Sequence, residues 1–369
     1  WLKSFKIRGS LGLTGNQNFR NNNSIAIYQY NLNHFYNNLV GSELKNMENP
    51  NLKWEKKMDY NLGLDAEVFG LSVRLDWYNS LSENRVSSMQ ISPSTGFSSV
   101  FTNLGSVRNT GVELYLAYTL WNSKDGYFRV NGSVVHNKNK LETLSEDMKG
   151  LDSDYVEGED MSAIKAVYSY GIDPATGLEM FRKLDGRRTL VWDSDDKIVV
   201  GVEDPKYRGV FGFSGEYKGF GLSAFLQGTG KRDKWIANTL TFPLYSDFKF
   251  IPLYKGLGDY WQPVDAANGD YTAVNPNAEF PRIYGNYGNQ GSNYRQSDKY
   301  LSDASYLRIK NVTLSYTFPK AWITKISLSQ LRAFVSVENL ATLSSLPKGI
   351  DPETLKWDYP AFRTVSFGL

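Results

Sequence analysis

The chain has 369 residues, with 41 basic and 39 acidic side chains and a net charge of +2, so it lacks the strongly basic character of a dedicated nucleic-acid-binding protein. It contains no cysteine, which excludes disulfides, thiolate metal sites and cysteine nucleophiles. Aromatic residues make up 14% of the chain, enough to bury apolar surface and argue against global disorder.

No apolar run approaches the 18 residues of a membrane-spanning helix, and the mean hydropathy is −0.43. Apolar and polar residues instead alternate with a period of two, which predicts β-strands. The first such segment has Phe5, Ile7, Leu11 and Leu13 on one face. The clearest one follows Lys53 and turns these residues to one side: Met58, Tyr60, Leu62, Leu64, Ala66 and Val68.

Alternation then continues from Leu71 to Trp77, from Val112 to Leu120 and from Phe128 to Val134, with an Asp125-Gly126 hairpin signal between the last two. Further segments run at 211–217, 220–226, 307–318, 331–337 and 365–369, which makes ten predicted strands. In the segment at 307–318 the apolar residues change from odd to even numbers. A one-residue β-bulge near Lys310 and Asn311 explains that change.

The predicted connections alternate in length. Short turns lie near residue 70, at 122–126, at 218–219 and at 319–327, whereas long connections cover 15–52, 80–109, 139–207, 229–301 and 339–360. Tight turns at one end and large loops at the other are typical of an outer-membrane barrel. Charges fall in the middle of the polar faces, where a water-filled lumen tolerates them: Asp59, Asp65, Arg74, Glu113 and Arg129.

Aromatic residues near the predicted strand ends fit the two bands of amphipathic aromatic side chains that outer-membrane barrels have at the membrane interfaces. Aromatic residues are, however, common in any sheet. They are Trp54, Trp77, Trp121, Tyr217, Tyr316 and Trp322. Seven further aromatic residues lie in the predicted long loops and are candidates for substrate contact: Trp192, Trp235, Tyr260, Trp261, Tyr284, Tyr287 and Tyr294. Such rings stack on sugars or peptide side chains, but they also pack loops or form protein interfaces.

Six segments, in order along the chain, resemble SusC/RagA-type TonB-dependent transporters. They are FKIRGSLGLTGNQN at 5–18, NPNLKWE at 49–55, NLGSVRNTGVE at 103–113, GIDPATG at 171–177, YLRIKNVTLSY at 306–316 and ENL at 338–340. The GIDPATG segment itself reads as a proline-containing turn closed by glycine, with a structural role.

The resemblance implies an all-β fold, a transmembrane antiparallel β-barrel in the bacterial outer membrane of a Bacteroidetes organism. Residues 1–369 would form about ten C-terminal strands of a 22-stranded barrel, with the plug domain and the N-terminal strands absent from this chain. The implied function is TonB-dependent import of an oligosaccharide or peptide, without a cofactor. The implied partners are a SusD-like surface lipoprotein that closes as a lid, TonB acting through the plug, the N-terminal part of the transporter and outer-membrane lipid.

Two other functions compete with import. A ten-stranded outer-membrane hydrolase would use His136 with Asp147, Asp152 or Asp154, and a soluble β-rich protein would bind glycans. His34 and His136, the two histidines of the chain, have no partner at metal-binding spacing. The segment at 193–197 resembles a calcium loop but has Lys197 where a ligand belongs.

Overall fold

The computed structural model describes residues 1–16, 24–149, 155–235, 259–265, 270–282, 297–324, 327–346, 349–355 and 359–369. The chain forms two compact units. Unit 1 consists of Trp1–Trp121 and Arg129–Met161, and unit 2 of Asn122–Phe128 and Ser162–Leu369.

Unit 1 is dominated by long antiparallel strands. Its strands are β1 (Leu2–Asn16), β2 (Ile27–Tyr36), β3 (Leu39–Asn46), β4 (Glu55–Val68), β5 (Leu71–Gln90), β6 (Ser99–Ser123) and β7 (Gly126–Leu144), although residues 122–128 at the turn between β6 and β7 fall in unit 2. The long strands lie side by side in the order β1-β4-β5-β6-β7, and β2 and β3 pair as a separate hairpin. Short 3₁₀ helices occupy Pro93–Thr95 and Glu146–Met148.

Unit 2 combines five long strands with several short ones. Its strands are β8 (Ala163–Ala166), β9 (Ser169–Ile172), β10 (Glu179–Arg182), β11 (Arg188–Thr189), β12 (Ile198–Val202), β13 (Tyr207–Tyr217), β14 (Phe220–Gly230), β15 (Asp233–Trp235), β16 (Pro263–Asp265), β17 (Asp270–Ala273), β18 (Leu301–Asp303), β19 (Tyr306–Thr317), β20 (Arg332–Ser344) and β21 (Thr364–Gly368). The long strands follow the order β13-β14-β19-β20-β21. The helices among the described residues of unit 2 are the 3₁₀ turns Ser194–Asp196 and Asp298–Tyr300 and the α-helix α1, Lys320–Ile323.

The ten long strands are the ten predicted from alternation, and they turn their apolar rows outward. In β1 the side chains of Phe5, Ile7, Leu11 and Leu13 are between 56% and 72% exposed. The register continues this row onto β4, where Ile7 lies opposite Leu64 and Leu11 opposite Tyr60. These rows of apolar side chains are therefore exposed on the long strands and are not packed in a core.

Three clusters of buried apolar residues lie elsewhere, near the ends of long strands and in the connections between them. One cluster consists of Leu104, Val107, Leu141 and Met148, beyond the regular alternation of β6 and β7. A second joins Ile172, Trp261 and Ala278 in the loops of unit 2. A third joins Ala304, Leu346 and Ile350.

The short turns lie where the sequence predicts them. Phe69 and Gly70 join β4 to β5 with φ values of +52° and +81°, and Lys218 and Gly219 join β13 to β14 with +48° and +87°. Positive φ at both central residues is the geometry whose twist matches a two-residue hairpin. Asp125 lies in the turn between β6 and β7, and its carbonyl accepts a hydrogen bond of 2.8 Å from the Lys218 amide.

The predicted β-bulge is confirmed. The register of β19 shifts between Ile309 and Asn311 against β20, and the β14 ladder shifts opposite the same point, between Phe225 and Leu226. The extra residue exchanges the two faces of β19. Leu307 and, after the shift, Leu314 consequently both belong to its exposed row.

The predicted long connection at 80–109 is wrong. Strand β5 continues to Gln90 and β6 begins at Ser99, so only residues 91–98 connect them. The ladder shifts register around Arg85, and Asn84 has a φ of +55°. This irregularity interrupts the alternation in the sequence, although the hydrogen-bonded pairing resumes beyond it.

Candidate functional site

The loops of unit 2 fold together into one body. We call residues 162–206, 231–235, 259–265, 270–282 and 297–305 the loop body. Val167 pairs with Ser297 in a parallel bridge, and the amide of Ser169 donates a 2.6 Å hydrogen bond to Asp298 Oδ1. These contacts join segments about 130 residues apart in the sequence, so the two long connections of unit 2 support each other.

A buried carboxyl group lies at the centre of this junction. The side chain of Glu179, on β10, has no exposed surface, and Ser297 Oγ donates a 2.5 Å hydrogen bond to its Oε1. Burial raises the pKa of Glu179 to about 7, although hydrogen bonds from Ser169 and Ser297 and the charge of Lys299 act in the opposite direction. Glu179 therefore titrates near neutral pH.

The neighbours of Glu179 are perturbed by the same burial. The pKa of Asp298 is raised because desolvation outweighs its backbone hydrogen bonds. The pKa of the Lys299 ammonium is lowered by desolvation, against the favourable charges of Glu179, Glu279 and Asp259. The junction consequently contains three titratable groups whose charged forms are disfavoured by their surroundings.

The segment at 171–177 forms a compact turn that anchors the loop body. Thr176 Oγ1 donates a 2.5 Å hydrogen bond to Asp173 Oδ2, and the Gly177 amide donates a 2.8 Å bond to the Asp173 carbonyl. Trp261 Nε1 donates a 2.9 Å bond to the Pro174 carbonyl. The turn therefore has the structural arrangement that its sequence predicts.

The candidate aromatic residues differ in their surroundings. Trp261 is only 2% exposed and packs in the cluster of Ile172 and Ala278. Trp235 is half-buried on β15 opposite Leu301, Tyr260 is half-buried in a bridge with Phe280, and Trp192 lies 6.0 Å from Lys197 Nζ. Tyr284, Tyr287 and Tyr294 lie outside the described residues.

A second group of aromatic and basic side chains has no signal in the sequence pattern. Tyr168 and Tyr170 flank Ser169 at the start of β9 and are 39% and 38% exposed. The guanidinium of Arg182, on β10, lies 5.9 Å from the Tyr168 ring centre, and that of Arg188, on β11, lies 4.9 Å from the Tyr170 ring centre. The two rings meet edge to face at 5.8 Å. The strands involved are two to four residues long, too short for a periodic signal.

The polar rows of the long strands are connected by ion pairs. In unit 1 the Arg8 guanidinium contacts Asp65 at 2.9 Å and Asp76 at 2.7 Å, joining β1, β4 and β5. Arg74 also reaches Asp65, at 3.3 Å. Charged side chains thus occupy the face opposite the exposed apolar row, as the alternation predicts.

In unit 2 a deeper ion pair fixes the connection between β20 and β21. Arg308 Nη2 lies 2.7 Å from Asp351 Oδ1, and both side chains are 3% exposed. Asp351 also accepts hydrogen bonds of 2.9 Å from the amides of Glu353 and Ala361. Burial alone would raise the pKa of Asp351, but these amides and Arg308 lower it below its usual range.

Among the described residues, no three His, Asp or Glu side chains converge where they could hold a metal ion. The Asp152 and Asp154 proposed as partners of His136 lie outside the described segments, as does the side chain of Asp147. No helix in the described part of the chain is long and apolar enough to cross a membrane.

Comparison with known proteins yields one family and several relatives. The family model described as "TonB dependent receptor-like, beta-barrel" matches residues 3–340. TonB-dependent receptor P3 of Formosa agariphila is 27% identical over the whole chain, and TonB-dependent receptor SusC of Bacteroides thetaiotaomicron is 26% identical over the whole chain. The chain spans 39% and 37% of the length of these two proteins.

Among solved structures, the RagAB peptide transporter superposes with a TM-score of 0.82 at 24% identity. The match covers 99% of this chain and 40% of that one. This likeness establishes the fold of the long strands and their connections.

Proposed function

Because the chain belongs to the TonB-dependent receptor-like β-barrel family, which lies in the bacterial outer membrane, we propose that it forms the C-terminal part of the barrel of a nutrient importer. The remaining strands, the plug and the segment that contacts TonB would belong to the rest of the transporter, since the chain spans about two fifths of its relatives. No covalent chemistry is part of this proposal.

The observation that carries the proposal is the separation of the two strand faces. Exposed apolar rows such as Ile7 and Leu11 suit contact with acyl chains, because lipid tails solvate apolar side chains and water does not. Ion-paired rows such as Arg8 with Asp65 and Asp76 suit a hydrated lumen. A water-soluble protein would bury the apolar rows instead.

The further partner in the proposal is a SusD-like surface lipoprotein that closes over the loops. Supporting this, one relative is the TonB-dependent receptor SusC, and one similar solved structure is the RagAB peptide transporter. The cargo would be an oligosaccharide or a peptide. Within the loop body, the half-buried rings of Trp192, Trp235 and Tyr260 would contact it, whereas Trp261 has a packing role in this structure.

The experiment uses the intact transporter in its own bacterium. We expect it to fractionate with outer membranes, to run as a heat-modifiable band and to support uptake of one nutrient that stops when the proton gradient is dissipated. Recovery as a soluble monomer without detergent would contradict the proposal. A Trp192→Ala, Trp235→Ala double variant should lower uptake without lowering the folded band, whereas Trp322→Ala, on α1 outside the loop body, should leave uptake unchanged.

A further inference from the structure

We infer that the face carrying Tyr168, Tyr170, Arg182 and Arg188 is a binding site for a carboxylate group of the imported ligand. This inference rests on the proposed function, and it adds the chemistry of one subsite. The three short strands β9, β10 and β11 form one antiparallel sheet in the order β11-β10-β9. All four side chains are exposed, while Phe181 and Glu179 of β10 are fully buried.

The two arginines are directly opposite each other. Arg182 and Arg188 are register partners on β10 and β11. Like charges at directly opposite positions of an antiparallel pair destabilise the sheet. Among the described residues neither guanidinium forms an ion pair with a carboxylate, so this repulsion is not relieved there. An anion bound between the two groups would relieve it.

The nearby residue Arg187 behaves differently. Its guanidinium contacts Asp185 Oδ2 at 2.6 Å, within the turn that joins β10 to β11. That turn is further held by hydrogen bonds of 2.9 Å from the Lys183 amide to the Arg187 carbonyl and from the Gly186 amide to the Lys183 carbonyl. An acidic partner is therefore within reach of this hairpin, but it neutralises Arg187 and leaves the Arg182 and Arg188 pair available.

The tyrosines define what kind of anion fits. Each guanidinium lies against a tyrosine ring, which limits its motion and leaves its N–H donors at the edge. Arginine forks match the geometry of a carboxylate, through two parallel hydrogen bonds. An arginine already lies over one face of each ring, so a charged donor is next to any group that approaches the rings. The arrangement therefore favours an acidic group whose carrier packs beside the rings.

The test measures binding to the purified intact transporter in detergent by calorimetry. Two sources of the same chemistry are compared, trigalacturonate and N-acetyl-triglutamate amide, each with its neutral counterpart, the trimethyl ester of trigalacturonate and N-acetyl-triglutamine amide. We expect at least one acid to bind, and its neutral counterpart to bind at least about tenfold more weakly, because hydrogen bonds between charged groups are stronger than those to neutral ones. The acid that binds identifies the source of the carboxylate.

The variants assign this affinity to the arginine pair. Arg182→Gln and Arg188→Gln should each weaken acid binding by about tenfold or more, and Arg188→Lys should restore only part of it because the fork is lost. Arg187→Gln removes the same charge from the same hairpin and should leave binding within about twofold, since that arginine is already paired. Each variant is compared at equal amounts of the heat-modifiable folded band.

The inference is overturned if neither acid binds, if each acid binds no better than its neutral counterpart, or if the two glutamine variants bind like the unaltered protein. Uptake and membrane fractionation are measured in parallel. An unaltered transporter that imports a nutrient but binds neither acid refutes this inference alone. A chain that is not in the outer membrane refutes the proposed function.

Discussion

The α-carbon of Gly177 lies directly against the indole ring of Trp261. A Cβ atom on Gly177 would lie 2.4 Å from Trp261 Cδ2, and the glycine has a φ of +69°. The same indole donates its N–H to the Pro174 carbonyl, 87 residues away in the sequence. The turn at 171–177 and the segment around Trp261 are thus fitted to each other, and this contact holds the two connections of unit 2 together.

Gly177→Ala should destabilise the loop body. The left-handed backbone costs a non-glycine residue about 1–2 kcal/mol, and the contact with Trp261 adds about 1–3 kcal/mol of overpacking. The measurement is hydrogen exchange of peptides from 163–182 and 259–265, which should lose protection. Gly186→Ala is the matched control, because its φ is +85° but no atom lies within 4 Å of its Cβ position. Equal loss of protection in both variants would contradict the packing argument.

The stability of the loop body should depend on pH through Glu179. Its pKa is about 7 in the folded protein against an ordinary 4.5, so the folded state binds the extra proton between these values. The contribution of Glu179 to the free energy of unfolding is fully present below pH 4.5 and is lost as the pH rises through 7. This contribution is on the order of 3 kcal/mol. The raised pKa of Asp298 likewise makes the folded state less stable as the pH rises. The lowered pKa of Lys299 has the opposite effect on stability.

The variant that tests this is Glu179→Gln, which keeps an acceptor for Ser297 and cannot ionise. The protection factor of residues 297–305, which corrects the exchange rate for its intrinsic dependence on pH, should fall between pH 5 and pH 8 in the unaltered protein and much less in the variant. Glu203→Gln is the control, since that carboxylate is half exposed and pairs with Lys234. A pH dependence that persists undiminished in Glu179→Gln would show that another group is responsible.

The buried pair of Arg308 and Asp351 should be the most sensitive ion pair described. Arg308→Gln leaves a carboxylate that is 3% exposed without its charged partner, and breaking a buried pair in this way costs about 3–5 kcal/mol. In Arg308→Gln, residues 349–355 should be the first to lose protection from hydrogen exchange. Arg74→Gln removes the guanidinium that pairs with Asp65, and the Arg74 side chain is 64% exposed. This substitution should lower the free energy of unfolding by less than about 1 kcal/mol. Similar losses in thermal unfolding of the two variants would contradict this ranking.

Much of the fold is readable from the sequence because the membrane imposes a strict period on it. The predicted all-β barrel class, the outer-membrane location and the SusC/RagA resemblance are confirmed by the family match and the similar structures. The bulge at 310–311 was predictable because clear alternation flanks it on both sides. The one near Arg85 was not, because serine, asparagine and glutamate residues surround it and mark neither face.

The candidate site was less predictable, because its contacts join distant segments. Nothing local distinguishes the buried Trp261 from the partly exposed Trp192; the difference arises from a carbonyl and a glycine in another loop. The juxtaposition of Arg182 and Arg188 depends on the register of a two-residue strand. That loop aromatics contact the cargo stays a prediction, including for Tyr284, Tyr287 and Tyr294.

Two adjacent residues of β4 provide a test of the strand faces. Leu62 is 55% exposed in the apolar row, opposite Gly9 and Trp77, whereas Asn61 in the polar row donates a hydrogen bond of 3.2 Å to Ser10 Oγ. Arginine on the lipid side of a barrel is destabilising, by up to about 2–4 kcal/mol depending on its depth in the bilayer, while the lumen hydrates it. Leu62→Arg should therefore reduce the heat-modifiable folded fraction of the intact transporter, and Asn61→Arg should not. If Asn61→Arg were the more damaging substitution, the assignment of the two faces would be reversed, and the proposed lumen and lipid surfaces would have to be exchanged.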